Sequence, residues 1–268
     1  MENISKFDPP NFGWLQVKLS KNEMDFLWES IENKGEVWNS SLAGNIACSN
    51  LIDDKDNWFF NNVLRNLMEI YSNEYPQIWS IHNQFAGVRH PLTLDTWWVN
   101  YQKKGEFNPI HHHTGKFSFV IFMKIPTEYE DQKNLPHAKG SNSDCISNFE
   151  FQYISTLGDM MPFNYRMGKW SEGMLLLFPS QLMHCVYPFY DCDEDRITIS
   201  GNLTYNTSIS LPVEEVEKAA EAQQKKEELS QQKKEWGDIP VETLKSYKKP
   251  KIEKVKLKQK PLKKGIFE

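Results

Sequence analysis

The hydrophobic period of this sequence changes after Pro76 from that of a helix to that of a strand. Before the change, Ser20-Lys-Asn-Glu23 has the form of a capping box, and Met24, Leu27, Trp28 and Ile31 recur at i, i+3, i+4 and i+7 until Gly35 interrupts them. This spacing predicts an amphipathic helix. A second helix is predicted from Asp56 or Asn57, with Phe60, Val63, Leu64, Leu67 and Tyr71 on one face and its end before Pro76. Beyond it, Thr96–Tyr101, Phe117–Met123, Phe149–Ile154, Met174–Phe178 and Arg196–Ser200 are short, β-branched or aromatic, and separated by turn residues. Two helices ahead of an all-β body are expected. So many short strands must hide their edges, which points to a sandwich, jelly roll or barrel.

The chain can fill such a body. Its 268 residues include sixteen Phe, ten Tyr and nine Trp, enough for a buried core, so a wholly disordered chain is excluded. Its densest apolar run, Met174–Phe178, falls far short of the roughly 20 residues of a membrane-spanning helix. Residues 1–10 lack the basic, apolar and small-residue regions of a secretory signal, so a cytoplasmic location is expected. Cys48, Cys145, Cys185 and Cys192 form no C-x-x-C pair and read as reduced structural thiols.

The net charge of −5 conceals a division: 16 Lys+Arg against 25 Asp+Glu up to Pro212 (net −9), and 15 against 11 after it (net +4). Residues 1–212 therefore read as one acidic globular domain, with a helical part over 1–95 and a β core over 96–206. Residues 213–268 read as a solvated charged helix followed by a flexible tail, with ten Lys and one acid between Lys245 and Lys264. Such a tail could touch nucleic acid or an acidic partner, although Lys-rich termini more often only solvate.

Three of the seven histidines are consecutive, in Asn108-Pro-Ile-His-His-His-Thr-Gly115. Side chains on extended backbone alternate between faces, so His111 and His113 point one way and His112 the other. H-x-H at a strand end is a two-tooth metal clamp. About seventy residues later, Gly173–Pro188 combines an apolar strand, a Pro-Ser turn and His184, which can deliver a third imidazole. Neutral imidazoles suit Fe(II), and the 2-His-1-carboxylate class leaves positions open for a co-substrate and oxygen. His82, His90 and His137 stand in polar or irregular context and read as structural or exposed. Twelve residues beyond His184, Arg196 opens the next apolar strand, where its planar fork would face the same cavity and pair with a carboxylate. The plainer alternative is an ion pair with Asp191, Asp193, Glu194 or Asp195.

Taken together, Trp98–His113, Gly173–His184 and Arg196-Ile-Thr198 resemble the Fe(II)- and 2-oxoglutarate-dependent oxygenases, and within them the prolyl-hydroxylase-like branch found in bacteriophage and marine bacterial genomes. Leu42-Ala-Gly-Asn-Ile46 is similar to that group as well. The resemblance covers about residues 40–206. It implies a mainly β double-stranded β-helix, a cupin-like jelly roll, supported by N-terminal helices. It also implies Fe(II), 2-oxoglutarate as co-substrate and O2, with ascorbate as a possible accessory. Carried onto this chain, His111 and His184 match the metal imidazoles. Arg196 matches the residue holding the distal carboxylate of 2-oxoglutarate, Thr198 a hydroxyl beside it, and Tyr101 a tyrosine that bonds the same carboxylate.

His113 departs from the family pattern, standing where most members carry Asp or Glu. It is read as the third ligand, with Glu106, Glu150 or Asp159 as alternative sources of a carboxylate. The implied reaction is hydroxylation of a small-molecule or peptide substrate, leaning toward a peptidyl proline or another amino acid, with release of succinate and CO2. Trp97, Trp98, Phe117, Phe119 and Phe178 read as core aromatics that could also wall the site. Two rivals remain: a three-His cupin-type dioxygenase without 2-oxoglutarate, which leaves Arg196 without a task, and a non-catalytic β-fold interaction or phage assembly protein.

Overall fold

The computed structural model describes residues 11–79, 88–209 and 211–212. The charged segment, the Lys-rich tail and His82 lie outside the described residues. In chain order the elements are β1 (Leu15–Lys18), α1 (Lys21–Glu32), β2 (Cys48–Leu51), α2 (Arg65–Glu74), β3 (Val88–Arg89), β4 (Leu92–Gln102), β5 (Asn108–His111), β6 (Phe117–Lys124), α3 (Tyr129–Lys133), β7 (Asn148–Ile154), β8 (Met160–Arg166), β9 (Met174–Pro179), β10 (Met183–Val186), β11 (Arg196–Tyr205) and β12 (Leu211–Pro212). Within the described residues every expected helix and strand is present. A single π-turn over Phe60–Leu64 leads into α2.

α1 begins as its sequence dictates. The Ser20 hydroxyl accepts from Glu23 N and the Glu23 carboxylate accepts from Ser20 N, closing the capping box. Leu27 and Ile31 then face inward.

Two antiparallel sheets make the β body. The larger has the order β1-β9-β6-β11-β4-β2, and the smaller β5-β10-β7-β8. This is the jelly-roll architecture. A strand of the large sheet has one row of side chains against the helices and one against the small sheet. In β6, Phe117, Phe119, Ile121 and Met123 join the core with α1 and α2, while Val120 and Phe122 join the core between the sheets. β9 divides likewise, with Leu175 and Leu177 toward the helices and Leu176 and Phe178 toward the small sheet. Burial on both faces explains why these strands are unbroken apolar runs rather than alternating ones.

The middle of the large sheet is close-packed around Gly201 of β11. A Cβ there would stand 2.6 Å from the Phe119 ring and 2.7 Å from Trp97 Cβ. Gly201→Ala is therefore expected to lower stability by about 1–3 kcal/mol through overpacking. Urea denaturation followed by tryptophan fluorescence measures this, and an unchanged midpoint would show that the two aromatic rings yield freely.

Candidate metal centre

The small sheet brings two imidazoles face to face. β5 and β10 pair antiparallel with His111 directly opposite His184, and their ring centroids lie 4.3 Å apart. The register then slips: two residues of β10, from His184 to Val186, span three of β5, from His111 to Asn108. This bulge contains Pro109, which could not donate to a regular ladder. Its carbonyl, at 2.7 Å, binds Nδ1 of His111.

His184 is held in the same way. The turn closed by Leu182 N and Pro179 O precedes it, and its own Nδ1 lies 2.9 Å from Leu182 O. Both Nδ1 atoms therefore carry the proton, which leaves Nε2 of each ring as a free lone pair.

His113 follows the end of β5, with its N–H donating to Ser180 O. Its ring lies 4.9 Å from that of His111 and 5.0 Å from that of His184, with Trp98 at 5.9 Å. His112 is exposed. Gly115 lets the chain turn back into β6 at φ 104°, where a Cβ would stand 2.9 Å from Leu203 O. Ligand atoms of His111, His113 and His184 all lie within 4.8 Å of one another. Burial holds the His111 and His184 rings below the usual imidazole range and brings His113 down to about 4. Three neutral nitrogen donors converge here, a set that fits Fe(II).

The alternative carboxylates do not reach this centre. Glu106 accepts from Ala47 N and Lys103 N, tying the segment before β2 to the β4–β5 turn. Glu150 accepts from Gln152 and Tyr187 and is paired with Cys185, not with His184. Asp159 is exposed in the β7–β8 turn. His90 binds Ile209 O, and His137 packs on Tyr190, away from the cluster.

The three imidazoles open into a cavity between the sheets. Asn100 and Gln102 of β4, Thr198 and Ser200 of β11, Ser49 of β2 and Asn108 of β5 supply its polar lining, and Phe119, Phe122, Phe149 and Phe178 its apolar wall. Leu42, Ala43, Gly44 and Ile46 complete its lining as a strap that the isolated bridge Asn45↔Phe107 ties down, with a second bridge, Val37↔Asn50, ahead of it. Ser49 donates to Asn100, which donates to Thr198 at 3.4 Å.

Tyr101 is a correction to the sequence reading. It belongs to the odd-numbered row of β4, with Trp97 and Val99, and packs on the helix side of the large sheet. Its hydroxyl accepts from Lys34 Nζ there. The neighbouring Gln102 takes the place at the cavity that was expected of Tyr101. The signal was present in the strand itself, where polar Asn100 and Gln102 alternate with apolar residues.

Arg196 is fully buried. It donates to Gln102 Oε1, Tyr187 O and Ser147 Oγ and lies over the Phe189 ring at 4.8 Å. Among the described residues it has no carboxylate partner, and its Nε has no acceptor. The expected rival ion pair is absent there: Asp193 pairs with Lys104 and Glu194 with Lys124. Burial brings the guanidinium down to about 9. A buried cation without a counter-ion is costly, so its surroundings fit an anionic ligand.

Residues 96–202 match the family model described as "Putative 2OG-Fe(II) oxygenase". That segment holds the three imidazoles, Arg196 and Thr198, and over it the chain is similar to the 2OG-Fe(II) oxygenases. Among curated proteins none matches the chain.

Similar solved structures include a Pseudomonas putida prolyl-4-hydroxylase, at 12% identity, TM-score 0.41, and coverage of 73% of this chain and 94% of that one. A Trichoplax adhaerens prolyl hydroxylase in complex with a hypoxia inducible factor peptide fragment has 13% identity, TM-score 0.41, and coverage of 72% and 83%. HygX from Streptomyces hygroscopicus, with nickel, 2-oxoglutarate and hygromycin B bound, has 10% identity, TM-score 0.43, and coverage of 73% and 84%. Among the described residues, no helix is long and apolar enough to cross a membrane.

Cobalt(II), a spectroscopic substitute for iron, is expected to bind with visible absorption bands. His111→Ala and His184→Ala should abolish the bands and His112→Ala should leave them intact. Equal loss in all three variants would show that the cluster is not the metal site.

Proposed function

We propose that the protein is a 2OG-Fe(II) oxygenase that hydroxylates an amino-acid side chain, a peptidyl proline or another residue, and that His111, His113 and His184 hold its iron through Nε2. In this reading Arg196 anchors the distal carboxylate of 2-oxoglutarate, with Thr198 as a hydroxyl partner. The observation that carries it is the buried Arg196 guanidinium, without a carboxylate partner among the described residues, bonded to Gln102 of the cavity into which the three imidazoles converge. Bound together, iron and co-substrate supply the oxidising chemistry, in which O2 is consumed, succinate and CO2 are released and the substrate gains a hydroxyl.

The chain's own residues do the rest. Asn100 and Ser49 orient Thr198, and Gln102 fixes the Arg196 fork. Trp98 and the phenylalanine wall keep water from the reacting centre, with Leu42, Ala43, Gly44 and Ile46 completing the lining. Residues 1–212 are sufficient for this activity, with residues 213–268 as an appendage. A chain cut after Pro212 should fold and form succinate as the full chain does. Loss of folding would move that boundary.

Under anaerobic conditions, Fe(II) and 2-oxoglutarate should give a visible charge-transfer band, lost in His111→Ala. Arg196→Met should keep the fold and the metal but raise the 2-oxoglutarate requirement about ten- to a hundredfold, the value of a charged hydrogen bond of about 1.5–3 kcal/mol. Tyr101→Phe should change neither. A band with an unaltered co-substrate requirement in Arg196→Met would remove Arg196 from this role.

A further inference from the structure

We propose that the protein alone holds its iron weakly and that 2-oxoglutarate completes the site, so that metal and co-substrate bind as a strongly coupled pair. This rests on the function proposed above and adds a form of regulation to the same site: metal occupancy follows the supply of co-substrate. The argument is one of charge. His111, His113 and His184 are the donors, and none brings a negative charge. The nearby acids are committed elsewhere, Glu106 to two backbone N–H groups and Glu150 to Gln152 and Tyr187. Bonded to Gln102 of the cavity lining is Arg196, a buried cation without a counter-ion among the described residues.

A metal dication entering alone therefore meets neutral donors and a like-signed neighbour across a medium that screens poorly. The dianion alone would leave the carboxylate at the imidazole end without a cation. Bound together they would neutralise each other, with the imidazoles holding the metal beside one end of the dianion and Arg196 holding the carboxylate at its other end. Each then raises the affinity of the other by the same factor, as linkage requires.

In the common pattern of this family a carboxylate stands at the place of His113. It would supply part of that negative charge permanently, hold metal in the absence of co-substrate and repel the dianion. His113 is thus the residue that sets the coupling. His113→Asp is expected to uncouple the two ligands, whereas His113→Asn, which is neutral, removes a donor without adding charge.

The test is titration of the full chain with Mn(II) by calorimetry, with and without saturating 2-oxoglutarate, corrected for chelation in solution. In the wild type 2-oxoglutarate should lower the Mn(II) Kd by roughly tenfold or more, within the range of about 5–150-fold usual for coupled sites. His113→Asp should bind Mn(II) more tightly than wild type in the absence of 2-oxoglutarate and lose most of that gain in its presence. His113→Asn should show no tightening.

An unchanged wild-type Kd while 2-oxoglutarate binds the Mn(II)-loaded protein would overturn the proposal and leave the proposed function standing. Absence of any Mn(II) or 2-oxoglutarate binding would overturn both. If His113→Asp does not fold, the wild-type comparison decides alone.

Discussion

Each side chain on a strand of the large sheet has two destinations, the helices or the cavity, and the pleat assigns them alternately. That constraint organises the rest of the molecule. On β6 and β9 both destinations are apolar, so both rows are hydrophobic and the strands hold the helical core to the inter-sheet core. On β4 and β11 the helix-side row stays apolar, with Trp97, Val99, Ile197 and Ile199, while the cavity-side row turns polar, with Asn100, Gln102, Thr198 and Ser200. The site is therefore cut out of one face of a sheet whose other face is ordinary core. Any residue that binds a ligand from these strands must share the parity of Thr198.

The small sheet obeys the same rule but breaks it once, to effect. In a regular strand Asn108 and His111, three apart, would face opposite sides. The bulge at Pro109 adds the residue that turns both toward the cavity, and the same proline offers the carbonyl that fixes the His111 tautomer. A proline suits the position because a bulge leaves one N–H unpaired in any case. Metal-ligand geometry and cavity lining thus share one backbone irregularity.

These rules explain what the sequence disclosed. Helices α1 and α2 were legible because capping residues and the 3.6 period agree, and the long apolar strands because they are buried on both faces. His111, His113 and His184 were legible because H-x-H at a strand end and a histidine just after a Pro-Ser turn are local patterns. Tyr101 was misassigned because it was carried over from the family resemblance, which holds no information about which face of this strand a side chain takes. The polar row of β4 carried that information. Ser49, Asn108 and the strap over residues 42–46 owe their places to a short strand, a bulge and two isolated bridges, none of which has a periodic signature.

The polar interior also shows where this fold accepts a cost. Two acids just ahead of β11 are kept at the surface with lysine partners, Asp193 with Lys104 and Glu194 with Lys124, where solvent screens each pair and little stability is gained. The fully buried Arg196 receives neutral acceptors instead: a carboxamide oxygen, a backbone carbonyl and a serine hydroxyl. Those contacts hold the guanidinium plane in one orientation but leave its charge uncompensated. Had a carboxylate been placed there, Arg196 would be cheaper to bury and of no use to an anionic ligand. On the function proposed above, this fixed cation and the uncharged imidazoles call for a ligand with negative charge at both of its ends. A dicarboxylate with a coordinating oxygen beside one carboxylate meets that requirement, and a monoanion would leave one end unserved.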